Sequence, residues 1–100
     1  MAEHPLATMT RVDPGLMDLL KSADAAIYGD GALPRRTKLL IALAFDAAHG
    51  AANGVRALAR SALEAGATKE QIGEAVRVAY HLAGVGSVYT ASQGLMELFP

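Results

Sequence analysis

The chain has 100 residues, of which 52% are hydrophobic and 19% charged, a length typical of one domain. Nine Lys and Arg against ten Asp and Glu give a net charge of −1. This balance lacks the basic excess needed to bind phosphates or an anionic membrane surface, so we expect no nucleic-acid or membrane partner. Cysteine is absent, which excludes disulfides, thiolate nucleophiles and sulfur-rich zinc sites within these residues.

The apolar fraction is high for a small monomer, whose surface-to-volume ratio is unfavourable. We therefore expect part of the apolar surface to meet another copy of the chain. The N-terminus has neither a basic start nor an apolar run typical of a secretory signal, which predicts a cytoplasmic protein. The longest apolar run, residues 39–45, is far shorter than a membrane span and indicates a core helix.

The first twelve residues show no hydrophobic period, which predicts a tail or arm over 1–12 and a single helical domain over 13–100. Asp13 and Pro14 are typical of a helix start, as N-cap and first-turn residue. An apolar stripe at helical spacing follows and is expected to face inward: Leu16, Leu19, Leu20, Ala23 and Ile27.

A central helix is predicted from Pro34 to about Ala48. Because residues 39–45 are apolar on every face, this helix is expected to be buried on all sides. Asn53 is a plausible N-cap for the next helix, and Gly66 is placed to end that helix in the left-handed conformation.

Thr68 and Gln71 match a capping box, the clearest helix start in the chain. The helix that follows is expected to run to Gly84 and Gly86, after which apolar residues keep helical spacing to the C-terminus. No segment alternates with period two. The sequence therefore predicts an all-α fold, a compact bundle of about five helices.

Two strings in this order of elements resemble a known family. The first is Thr-Lys followed by an apolar helix from residue 37, and the second is Ala-Leu-Glu-Ala-Gly-Ala-Thr-Lys-Glu-Gln-Ile-Gly-Glu-Ala at 62–75. Together they resemble the carboxymuconolactone decarboxylase family, which includes the alkylhydroperoxidase D-like proteins, over residues 33 to about 95. The resemblance implies the helical fold of that family and a homo-oligomer, with a trimer or hexamer favoured.

The resemblance also marks where a reactive site would lie. Redox members of the family use a Glu, two cysteines in a CxxC and a His, and these positions fall here on Leu39, Ala51, Gly54 and Leu58. Without a thiol, the alkylhydroperoxidase mechanism is unavailable to these residues. Decarboxylase-type members are similar to one another in keeping the His that is Leu58 here. The sequence thus predicts a degenerate family site in a diverged member.

Other polar groups offer weaker candidates. His49 with Asp46 would make a base oriented by a carboxylate, and Tyr80 with His81 could add polar groups to a pocket, although each is more often a solvated or interface residue. Asn53 and Arg56 could hold a ligand carboxylate, but such residues more often form a solvated face.

No metal site or cofactor is expected, because the histidines lack the spacing of metal ligands.

Two functions remain open at this point. The first is a non-redox protein that binds a small apolar or carboxylated ligand or serves in assembly. The alternative is a thiol-independent enzyme of decarboxylase or lactone type that acts on a small carboxylated substrate through His49, Asp46, Tyr80 or His81. A pocket holding two or more of these four groups would favour the enzyme, whereas a site packed by Leu39 and Leu58 would favour binding or structure.

Overall fold

The structure is a computed structural model that describes residues 6–100. Within that range it contains six α-helices and no strand: α1 Leu6–Val12, α2 Pro14–Tyr28, α3 Arg35–Ala48, α4 Ala52–Glu64, α5 Lys69–Ala83 and α6 Gly86–Leu95. The all-α prediction is confirmed, with one helix more than predicted. The extra helix, α1, lies in the segment predicted as a tail or arm, and residues 1–5 of that segment lie outside the described range. None of the six helices is long and apolar enough to span a membrane.

The core is built by the last four helices, with α3 packed against α4, α5 and α6. Most of its fully buried side chains are small, so the helices approach closely. The buried apolar residues are Leu39, Leu43, Ala47, Val55, Ala59, Ala62, Ala67, Ile72, Ala79 and Ala91. We refer to residues 35–95 as the core.

The first two helices, which we call the N-terminal arm (residues 6–28), contribute no buried residue to this core. Asp13 and Pro14 start α2 as predicted, with the Leu16 N–H donating to Asp13 Oδ1 at 3.1 Å. The predicted inward stripe, however, is wrong for a single chain, since Leu19 is 67% and Ile27 60% exposed. The reason is that α2 meets the core only near its C-terminal end, so its apolar face is left uncovered.

The central helix α3 is buried on one side only. The prediction that it is buried on all sides is wrong. Leu39 and Leu43 are buried, whereas Ile41 is 58% and Phe45 63% exposed. Since α4, α5 and α6 cover only one side of α3, the opposite apolar side faces the arm and solvent.

The helix ends follow the predicted capping signals with one exception. Gly66 has φ +99°, and the Ala67 N–H donates to Ala62 O at 2.9 Å, which completes a Schellman motif. The Thr68 and Gln71 capping box is confirmed in both directions. Asn53 is not an N-cap.

The position of the α4 start explains that exception. Gly50, with φ +76°, ends α3 in a second Schellman motif, in which the Ala51 N–H donates to Asp46 O at 2.9 Å. Because α4 begins directly afterwards with Ala51 as its N-cap, Asn53 falls inside the first turn.

Candidate functional site

Leu39, which the resemblance aligns with the family Glu, lies in packed core. Leu39 is 1% exposed and clusters with Ala62 and Ala67, and the partly buried Leu58 packs against the same cluster. Leu39 and Leu58 therefore belong to one apolar cluster across the α3–α4 pair. Hydrophobic packing joins these two positions.

Gly54, which the resemblance aligns with the second family cysteine, is crowded by a neighbouring side chain. A Cβ built on Gly54 would collide with the carboxylate of Asp46. Asp46 is half-buried in the last turn of α3, and the tight Gly50 turn brings α4 back against that turn. The Asp46 carboxylate thus occupies the space that a side chain at residue 54 would take.

An open groove of about 400 Å³ lies beside this cluster. Its walls are the C-terminal end of α2, the outer side of α3 and one residue of α4. Most of the lining is apolar, and the lining residues are Ile27, Tyr28, Lys38, Ile41, Ala42, Phe45, Asp46 and Leu58. The groove therefore adjoins the predicted degenerate site through Leu58, one of its four positions, and through Asp46, which lies against Gly54.

Two charged side chains line the groove, and their surroundings differ. Lys38 Nζ donates hydrogen bonds to Ile27 O at 3.0 Å and Gly29 O at 2.8 Å, the carbonyls at the end of α2. The cation is thereby fixed and ties the arm to the core. The Asp46 carboxylate has no hydrogen-bond or ion-pair partner among residues 6–100.

The other three catalytic candidates do not line the groove. His49 is exposed, its ring stacks on Phe45 with centroids 4.1 Å apart, and its Nδ1 lies 2.8 Å from Phe45 O. This contact directs the His49 ring onto its own helix. Tyr80 and His81 are exposed on α5. Of the four groups, the structure brings Asp46 alone into the groove.

The predicted ligand-binding pair is engaged elsewhere. Arg56 Nη2 donates to Asn53 Oδ1 at 3.1 Å, and Arg56 Nη1 lies 3.6 Å from Glu97 Oε1. These contacts connect the first turns of α4 to the segment after α6. Neither Asn53 nor Arg56 lines the groove.

Sequence reasoning missed several groove residues because it assigned all apolar residues of α3 to the core. Lys38, Ile41, Ala42 and Phe45 recur at i, i+3, i+4 and i+7, which is a second stripe opposite the buried one. A helix with two apolar sides in a small domain could have signalled a groove or an interface. Among residues 6–100, no group of three His, Asp or Glu side chains could hold a metal ion.

Comparison with known proteins addresses the fold and the family. The family model described as "Carboxymuconolactone decarboxylase family" matches residues 14–95. The chain belongs to the carboxymuconolactone decarboxylase family. The crystal structure of apo-lpg0406, a carboxymuconolactone decarboxylase family protein from Legionella pneumophila, is similar with a TM-score of 0.81 and 30% sequence identity. The match covers 91% of this chain and 81% of that one. A search of the curated proteins gave no match.

The family match extends further towards the N-terminus than the resemblance in sequence, which begins at residue 33. It starts at Pro14, the first residue of α2, and so includes the helix whose end forms one wall of the groove. The groove residues and the four degenerate positions all lie within the segment that matches the carboxymuconolactone decarboxylase family.

Proposed function

We propose that this chain is a non-redox member of the carboxymuconolactone decarboxylase family that binds a small, mainly apolar ligand and assembles with itself. One observation carries the ligand-binding part, namely the 400 Å³ groove beside the degenerate family site. Its lining is mostly apolar with a few polar groups, as is common for small-molecule sites. A cytoplasmic location stays a prediction.

The composition of the site supports binding over catalysis. The chain has no cysteine, Leu39 fills the position of the family Glu, and Asp46 blocks residue 54. A thiol relay lacks its nucleophile, and a side chain at residue 54 would have to displace the Asp46 carboxylate. The enzyme hypothesis required two or more of the four polar candidates in one pocket, and only Asp46 meets that requirement in the groove.

Exposed apolar side chains support self-assembly. Leu19 of the arm and Phe45 of α3 are 67% and 63% exposed, and both lie on apolar stripes of their helices. Contiguous exposed apolar areas are typical of interaction surfaces, whereas single scattered apolar residues are not. A trimer or hexamer is expected by resemblance to the family, and light scattering at micromolar concentration measures it. A clean monomer mass would contradict the assembly part of the proposal.

The binding part is tested by titrating 1-octanol, a neutral apolar probe, into isotope-labelled protein and following amide chemical shifts. We expect saturable shifts at groove residues such as Ala42, Phe45 and Leu58. The variant Ala42→Phe, which fills the groove, should abolish them. The matched control Ala57→Phe, at an exposed position of α4, should leave them unchanged. If the wild-type protein gives no saturable shift in the groove, the binding proposal fails.

A further inference from the structure

The two charges of the groove lie far apart along one helix. Lys38 and Asp46 both line the groove and are eight residues apart on α3, which corresponds to about 12 Å along the helix axis. An ion pair requires nitrogen and oxygen within about 4 Å, so Lys38 and Asp46 do not pair with each other. Each of the two charges would face a different end of a bound ligand. Ile41, Ala42 and Phe45 form the apolar floor between them.

At one end of the groove, the ammonium of Lys38 is held in place. Two backbone carbonyls accept hydrogen bonds from it, those of Ile27 and Gly29. Because an ammonium group has three N–H donors, one donor remains for a ligand. A fixed cation with a free donor is suited to an anionic or strongly accepting group.

At the other end, Asp46 offers an acceptor without a partner. Its carboxylate is half-buried against Gly54, and no donor among residues 6–100 reaches it. A carboxylate in a mostly apolar setting gains from a charged or polar donor, since partial burial deprives it of water. The last turn of α3, closed by Gly50, fixes the backbone that carries this group.

From these positions we infer a ligand class for the proposed binding function, on which this inference rests. The groove binds an elongated zwitterionic molecule, with an ammonium group on Asp46, a carboxylate on Lys38 and an unbranched apolar chain between them. Such a ligand places opposite charges at both ends and covers Ile41, Ala42 and Phe45 with its chain. A ligand with one charged end would cover the other charge with hydrocarbon. It would leave either the Asp46 carboxylate without a donor or the third N–H of Lys38 without an acceptor.

Calorimetric titration of the wild-type protein with four probes of equal chain length tests this assignment. The probes are 8-aminooctanoate, octanoate, octylamine and 1-octanol. We expect 8-aminooctanoate to bind roughly tenfold tighter than either singly charged probe, in line with the strength of one charge-assisted hydrogen bond. Shorter amino acids such as 4-aminobutanoate should bind weakly, because they cannot span both ends.

Two variants separate the ends of the groove. Asp46→Asn should remove the advantage of 8-aminooctanoate over octanoate, and Lys38→Gln should remove its advantage over octylamine. The controls Asp18→Asn and Lys21→Gln carry the same chemical changes at exposed positions of α2 and should leave both ratios unchanged. Because each readout is a ratio of affinities within one variant, a loss of folded protein cannot imitate it.

The outcomes distinguish this inference from the function on which it rests. Equal binding of all four probes would leave ligand binding intact and overturn the zwitterion assignment. Binding of octylamine as tight as that of 8-aminooctanoate would also overturn it, since the contact between Lys38 and the carboxylate would then add nothing to the affinity. If none of the probes, 1-octanol included, bound the groove, the binding function itself would be contradicted.

Discussion

The core and the N-terminal arm both contain apolar stripes at helical spacing, but only the core buries them. In the core, α4 buries Val55, Ala59 and Ala62, small side chains on one stripe. In the arm, α2 has larger apolar residues on a comparable stripe and buries none of them. A helical period identifies the apolar side of a helix, but it does not identify the chain that covers that side.

The groove lies where these two regions meet. Ile27 and Tyr28 come from the last turn of the arm, and the facing residues come from α3 and α4. Lys38 joins the regions through the carbonyls at the end of α2. Substitutions that act on one region and spare the other therefore test both the packing and the site.

The largest difference is expected between Leu39 and Leu19, two leucines of equal size in the two regions. Leu39→Ala should lower the free energy of unfolding by about 2–5 kcal/mol, because Leu39 is 1% exposed and its truncation leaves a cavity. Leu19→Ala, measured by urea unfolding where the protein is monomeric, should cost less than about 0.5 kcal/mol. Leu58→Ala should fall between them, because Leu58 is partly buried at the groove wall. A cost below about 0.5 kcal/mol for Leu39→Ala would contradict the packed-core description of the site.

A second contrast uses two glycines inside core helices. A Cβ at Gly94 would lie 2.6 Å from Ala52 O and 2.8 Å from Val55 Cβ, so Gly94→Ala should force α6 away from α4 and cost about 1–3 kcal/mol. A Cβ at Gly73 meets nothing within 4 Å, and Gly73→Ala should stabilise α5 by up to about 1 kcal/mol. Thermal unfolding of both variants measures the contrast. Equal changes in thermal stability for the two variants would mean that α6 does not pack closely on α4 at Gly94.

Local signals predicted the helices well, because each signal acts within one or two turns. The Thr68 capping box, the Gly66 helix end and the Asp13 start all have their causes in adjacent residues. The uncovered sides of α2 and α3 could not be predicted, since burial depends on which helices pack together in space. Asn53 failed as an N-cap for a related reason, because a turn completed at Gly50 had already fixed where α4 begins.

The candidate site was predicted in part. The resemblance predicts four degenerate positions, and the structure places two of them, Leu39 and Leu58, in one apolar cluster. The contact between Asp46 and Gly54 was not foreseen, because it depends on how closely α4 returns against α3. The role of Lys38 was missed for the same reason, since the carbonyls that it binds belong to another helix.

The uncovered side of the arm leads to a third prediction, which concerns the mass of the assembly rather than the stability of the fold. If Leu19 lies in a contact between copies, Leu19→Asp should reduce the mass measured by light scattering, because a carboxylate in an apolar contact loses its water. Unfolding of the dissociated chain should stay within about 0.5 kcal/mol of wild type. Ser22→Asp, an exposed polar position of the same helix, is the matched control. An unchanged mass for Leu19→Asp would exclude this stripe from the assembly contact.

The smallest expected effect concerns the junction between the arm and the core. Lys38→Met removes the ammonium that binds Ile27 O and Gly29 O. Arg35 still contacts the same segment of the chain. The Arg35 N–H donates to Asp30 Oδ1 at 2.7 Å, and Arg35 Nη1 lies 3.5 Å from Asp24 Oδ2. The arm should therefore remain docked and open more often.

We expect amide hydrogen exchange in the last turn of α2 to accelerate about fivefold in Lys38→Met, which corresponds to a loss of about 1 kcal/mol in local stability. Exchange of the most protected core amides should not change, because Leu43 and Val55 belong to a different apolar cluster from the one against which Tyr28 of the arm packs. The control Lys21→Met removes a lysine from the arm itself and should leave both sets of rates as in wild type. If amide exchange in the core and in the arm accelerated together in Lys38→Met, the arm and the core would unfold as one unit. The two regions would then differ in burial but not in stability.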